Sequence, residues 1–94
     1  MAKLSAVEKK TNSPDFLFHC PGCGYSHGVW TTRLPGENHP LWQFNGDINN
    51  PTISPSLLVR GQFICHSFIR SGKIQFLNDC THHLAGQTID MQDV

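Results

Sequence analysis

Apolar and polar positions along this chain alternate with the two-residue period of β-strands, and a helical period is confined to a short stretch over residues 4–10. Residues 16–20 (Phe-Leu-Phe-His-Cys) are short, apolar and aromatic, which predicts a strand; Pro21, Gly22 and Gly24 then force a tight turn. Residues 25–34 are rich in β-branched and aromatic side chains and read as the return strand, closed by a loop through Pro35, Gly36, Asn38 and Pro40. Residues 42–45 predict another short strand, followed by a polar turn through Gly46, Asp47, Asn49 and Asn50. Pro51 and Pro55 bracket Thr-Ile-Ser, so that piece is expected as an edge strand running on to Arg60.

The clearest hairpin spans 62–80, where segments 62–70 and 73–79 flank Ser71-Gly72, a two-residue turn. Its register opposes Ile69 with Ile74, Ser67 with Phe76, Cys65 with Asn78 and Phe63 with Cys80. Residues 84–91 read as a last strand or an irregular tail. The expected fold is all-β: one small antiparallel sheet stapled by zinc, built from a zinc-ribbon-like knuckle and hairpins over residues 16–94. Residues 1–15, with Lys3, Lys9 and Lys10, are expected as a flexible arm, with partner docking as the sharper alternative.

Of the 94 residues, 38% are hydrophobic. So short a chain gains only a few kcal/mol of net stability from burial, and a metal or disulfides are the usual supplement. Four cysteines and six histidines offer either one. No apolar run follows the first lysines and no stretch is long enough to cross a membrane, so the expected setting is a reducing cytoplasm, where clustered cysteines bind metal. Seven basic residues balance seven acidic ones. Nucleic-acid binders show a basic excess or stripe, and none is present, which argues against that class.

Cys20-Pro-Gly-Cys23-Gly24 carries the strongest chemical signal. Two thiolates this close grip one ion only if the backbone between them turns sharply, as Pro21 and the glycines allow. Zinc ribbons and rubredoxin-like proteins use this knuckle. On the hairpin, Cys65 and Cys80 become diagonal neighbours about 7 Å apart on one face, with His66 on the other. The expected zinc ligands are therefore Cys20, Cys23, Cys65 and Cys80, with His66, His82 and His83 as alternates. His27 comes within reach if the return strand bends, whereas His19 points away from the ion.

Candidates for chemistry beside the metal are His66, His82, His83, Asp47 and Asp79. The deaminase His-x-Glu motif and the helical His-Glu-x-x-His are both absent. Ser54 and Ser56 lie near histidine-rich segments and raise the thought of a nucleophilic serine, but no elbow-type glycine spacing accompanies them, and Pro55 makes a kinked strand the favoured reading. Trp30, Trp42 and Phe44 read as core aromatics.

Residues 42–47, then Pro51-Thr-Ile-Ser-Pro-Ser-Leu57, the Cys65-His-Ser-Phe-Ile-Arg to Asp-Cys80-Thr-His block, and Leu84-Ala-Gly-Gln-Thr88 together resemble small phage and prophage proteins. More distantly, the chain is similar to zinc-motif proteins encoded beside bacterial ubiquitin-like conjugation genes, where accessory and peptidase roles have been proposed. The resemblance implies a phage origin, life in the host bacterial cytoplasm, and joint importance of Asp47, Ser54, Ser56, His66, Asp79 and His82. Two functions are expected from this: a zinc-stabilised interaction module that binds a host or phage protein, or a small zinc-dependent, peptidase-like hydrolase.

Overall fold

The structure, a computed structural model describing residues 1–94, contains eight strands and no helix. They are β1 (Ser5–Ala6), β2 (Phe16–His19), β3 (Ser26–Val29), β4 (Gln43–Phe44), β5 (Ile53–Arg60), β6 (Ile64–Arg70), β7 (Lys73–Phe76) and β8 (Thr88–Asp90). All pairings are antiparallel, in two sheets ordered β1-β2-β3 and β4-β5-β6-β7-β8. Alternation decides which side chains meet. On β6 the odd positions Cys65, Ser67 and Ile69 are buried, while Ile64, His66 and Phe68 face outward. Phe18 and Val29 of the first sheet join Ile53, Leu57, Ile69, Ile74 and Phe76 of the second in one core.

The hairpin forms as its turn residues dictate. Ser71 and Gly72 both have positive φ, 50° and 77°, as a type I′ turn requires, and Ile69 faces Ile74 and Ser67 faces Phe76. Beyond Phe76 the register departs from expectation. The Leu77 N–H still bonds to the His66 carbonyl, but the Cys80 N–H turns back onto the Leu77 carbonyl at 3.2 Å. Cys80 thus sits in a turn rather than on a strand.

Two other expectations are corrected. The expected edge strand is corrected over Ile53 and Ser54, where β5 lies between β4 and β6, while from Pro55 onward it has β6 as its one neighbour. Ile53 pairs with Ile69 and Leu57 with Ser67, so Ser54, Pro55 and Ser56 together face Phe68 alone. This bulge absorbs the missing proline N–H and bows the strand outward, leaving Pro55 exposed.

The flexible arm is also corrected, because residues 1–15 are built into the fold. Leu4 is 1% exposed within the core, β1 pairs with β2, and the Lys3 N–H bonds to the Ile48 carbonyl. Polar anchors finish the attachment. Asp15 accepts from the Thr31 and Thr32 N–H groups, and Glu37 accepts from the N–H groups of Leu34 (2.7 Å) and Asn12 (2.6 Å). The lysines that suggested a solvated tail are partly consumed here, with Lys9 Nζ 3.6 Å from Asp15 and 3.9 Å from Glu37.

Leu4→Ala should lower unfolding stability by about 2–4 kcal/mol, the cost of a buried leucine cavity. Chemical denaturation measures this, and an unchanged midpoint would return the segment to a loose arm. The backbone donors at Leu34 and Asn12 hold the Glu37 carboxyl near 2, below its ordinary 4.5. The unfolded chain therefore binds the more protons, so this contribution is full above about 4.5 and is lost as the pH falls toward 2. The acid limb of stability in Glu37→Gln should be flatter across that window, as followed by circular dichroism.

Candidate active site and metal centre

Two clusters of reactive side chains lie on opposite faces of β6. The inward one begins at the knuckle. The Cys20 N–H bonds to the Tyr25 carbonyl and the Gly24 N–H to the Cys20 carbonyl, while the Cys23 N–H points at Cys20 Sγ at 3.4 Å. Gly24 takes a φ of 82°, and Gly22 lies so close to the His82 ring that a Cβ there would collide with it. The turn delivers Cys20 and Cys23 inward, β3 delivers His27, and β6 delivers Cys65. Their four ligand atoms lie within 4.8 Å of one another and all four residues are buried.

These residues fit a metal ion. Bonds of about 2.3 Å to a tetrahedral ion would set its sulfurs roughly 3.8 Å apart; Cys20 Sγ and Cys65 Sγ are 3.8 Å apart. All four cysteines are free thiols. His27 Nε2 is buried with no hydrogen-bond partner, the condition of a nitrogen whose partner is an ion. Cys20 and Cys65 share a hydrogen bond in which either sulfur can donate, and this contact pulls Cys20 down to about 3 and pushes Cys65 up. Burial, followed by the Cys20 charge, pushes Cys23 up.

Cys80 and His82 form a second group with Cys65, again within 4.8 Å. Their polar atoms are partly engaged. Cys80 Sγ accepts the His66 N–H and donates to the His66 carbonyl, each at 3.2 Å. His82 Nδ1 accepts the Leu84 N–H at 3.2 Å, its ring stands edge-on to Phe76, and its Nε2 is buried without a partner. His83 and His19 are exposed.

The outward cluster is a hydrogen-bonded relay. His66 Nδ1 lies 3.0 Å from Asp79 Oδ2, and His66 Nε2 lies 2.9 Å from Ser56 Oγ. An ionised Asp79 accepts the Nδ1 proton, which leaves Nε2 as the acceptor for the Ser56 hydroxyl. Each member has a structural reason for its place. The β5 bulge presents Ser56, whose carbonyl accepts the Trp42 indole N–H at 3.2 Å. Register places His66 opposite Leu58, two residues beyond Ser56. The turn that follows β7, clamped by Cys80 on the His66 backbone, brings Asp79 to the ring. Asp79 is 59% exposed and His66 27%, so the relay sits at the surface.

Of the other candidates, Asp47 Oδ1 accepts the N–H groups of Asn49 and Asn50 within its own loop. Ser54 lines an open cleft of about 250 Å³ with Gln43, Phe44, Asn45 and Thr52. Ser56, passed over as part of a kinked strand, is the member that sequence reasoning undervalued. The signal was the proline itself, since a proline inside a paired strand implies a bulge, and bulges re-aim side chains.

No curated protein and no solved structure matches the chain. A family model does, over residues 2–77, which takes in Ser56, His66 and the four-residue metal group and stops two residues short of Asp79. That family is described as the bacterial ubiquitination-like system serine protease family, BubE, and the chain belongs to it.

Proposed function

We propose that this protein is a serine hydrolase that cleaves acyl bonds in polypeptides, as a protease of a bacterial ubiquitination-like system, with Ser56 as nucleophile, His66 as general base and acid, and Asp79 as the residue that orients His66. The observation that carries this reading is the continuous relay Ser56–His66–Asp79 at 2.9 and 3.0 Å. Triads recur on unrelated folds and in different chain orders, so geometry is the criterion and not sequence spacing. The family description supports the same chemistry.

In the first half-reaction Ser56 Oγ bonds to the substrate carbonyl carbon while its proton passes to His66 Nε2. The carbon–nitrogen bond then breaks, and the same proton goes from Nε2 to the departing amine. In the second half-reaction water gives a proton to Nε2, attacks the acyl carbon and releases the acid, and the proton returns to Ser56 Oγ. Asp79 stays ionised throughout, holding Nδ1–H and stabilising the imidazolium. A protein substrate lying over the relay removes water from the half-exposed Asp79–His66 pair and strengthens their attraction.

Cys20, Cys23, Cys65 and His27 would hold a zinc ion, the choice that three thiolates and an imidazole favour. When bound, the ion supplies cross-linking and not hydrolysis, because four protein donors leave no open position for water. Cys65 ties that cluster to the strand whose next residue is His66. Between the two readings left open by the sequence, the relay favours the hydrolase, with serine rather than metal-bound water as its nucleophile. The resemblance to phage proteins supports action in the cytoplasm of a bacterial host on a protein partner.

Ser56→Ala and His66→Ala should each lower kcat by about 10⁴-fold or more, and Asp79→Asn by a comparable factor, with the folded spectrum retained. Hydrolysis of a chromogenic ester, with circular dichroism alongside, measures this; an active Ser56→Ala protein would overturn the assignment. Cobalt(II) substituted for zinc should give thiolate charge-transfer and tetrahedral d–d absorption at one ion per chain. His27→Ala should alter those bands and Cys80→Ser should not, while the reverse pattern would exchange their roles. Chelation should unfold the native chain, because binding free energy here is folding free energy.

A further inference from the structure

The relay has two unlike flanks. Toward the N-terminal end of β5, Ser54 enters the cleft of about 250 Å³ that Gln43, Phe44, Asn45 and Thr52 complete. Toward the other end lies Leu58, paired directly with His66 and 47% exposed, and beside it on the same face Ile64, 41% exposed. Chemistry orients a substrate across this line. The proton on His66 Nε2 must reach the leaving amine, so the departing half of the substrate lies on the His66 side of Ser56 and the acyl half on the opposite side. His66 springs from the level of Leu58, beyond Ser56, and the cleft lies before Ser56.

Four of the cleft's five lining residues are polar, Phe44 being the exception, and none of the five is ionisable. Two of its polar residues are fixed by their neighbours. Asn45 Oδ1 accepts the Asp47 and Thr52 N–H groups, Asn45 Nδ2 donates to the Asn50 carbonyl, and Thr52 Oγ1 accepts the Ser71 N–H. These bonds make a rigid wall. Gln43 and Ser54 make no side-chain hydrogen bond within the protein and remain available to a ligand. A charged side chain entering here would lose solvation without meeting a counter-charge.

We infer that the Gln43–Ser54 cleft is the acyl-side specificity site of the enzyme, taking an uncharged residue immediately before the scissile bond, while Leu58 and Ile64 contact the leaving half. This rests on Ser56 being the nucleophile. The selectivity follows from the absence of any charge in the cleft, and the orientation follows from the position of His66.

The test uses p-nitrophenyl esters of benzyloxycarbonyl-glycine, -asparagine, -lysine and -glutamate, with the acetyl ester as a side-chain-free reference. Fluorophosphonate labelling of Ser56, read by intact mass, reports the nucleophile separately. The glycine and asparagine esters should exceed the lysine and glutamate esters in kcat/KM by roughly tenfold or more. Ser54→Leu should cut the asparagine-to-acetyl ratio by about tenfold, whereas Leu58→Asp should keep the wild-type ratio. Equal rates for all four amino-acid esters on a protein whose Ser56 labels would overturn the cleft assignment and leave the serine chemistry standing. A ratio that responds to Leu58→Asp and not to Ser54→Leu would overturn the orientation. If Ser56 fails to label, the nucleophile assignment falls and the cleft assignment falls with it.

Discussion

Everything distinctive in this structure hangs on two consecutive residues of β6 that point in opposite directions. Cys65 turns inward to the thiol and imidazole cluster, and His66 turns outward to Ser56 and Asp79. The two-residue period of a strand makes that arrangement obligatory once either side is fixed. A register slip of one residue would send His66 into the core and Cys65 to solvent. The thiol and imidazole cluster behind the strand and the relay in front of it are thus one constraint seen from two faces. With 19 of 94 residues buried, apolar packing alone gives a thin core, and four buried thiol and imidazole side chains lie together within it.

Cys80 shows how the two faces communicate. It is close to Cys65 on the inner side, yet its sulfur is also bonded to both backbone polar groups of His66. Those bonds hold the turn carrying Asp79 against the strand carrying the histidine. An aspartate that is 59% exposed has no packing to keep it in place, so its orientation comes from this backbone clamp. On the other flank the Trp42 indole does the equivalent work for Ser56, through the carbonyl of the bulged residue. Positioning by hydrogen bonds to backbone suits a surface relay, because the backbone is the most rigid thing available there.

Much of this was legible in the sequence, for identifiable reasons. The Ser71-Gly72 turn needs positive φ at both residues, and that fixed the hairpin register through Ser67 and Phe76. The Cys20-Pro-Gly-Cys knuckle is equally local, and His66 was placed on the outer face by alternation alone. What was not legible depended on departures from regularity. The turn after Phe76 lifted Cys80 and Asp79 off the strand, and the bulge at Ser54–Ser56 converted an apparent edge-strand kink into the platform for Ser56. The N-terminal segment looked like a solvated tail because its lysines dominate its composition. Its attachment rests on one leucine and on acceptors, Asp15 and Glu37, whose partners lie far along the chain.

An ion held in the inner cluster should keep the outer relay competent. The most direct measurement is the rate of Ser56 modification by a fluorophosphonate as a function of metal occupancy, set by titrating chelator against the metal-replete protein. The modified fraction should fall in proportion to occupancy and recover when metal is returned. Full-rate modification of the metal-free protein, or no modification of the metal-replete one, would contradict it.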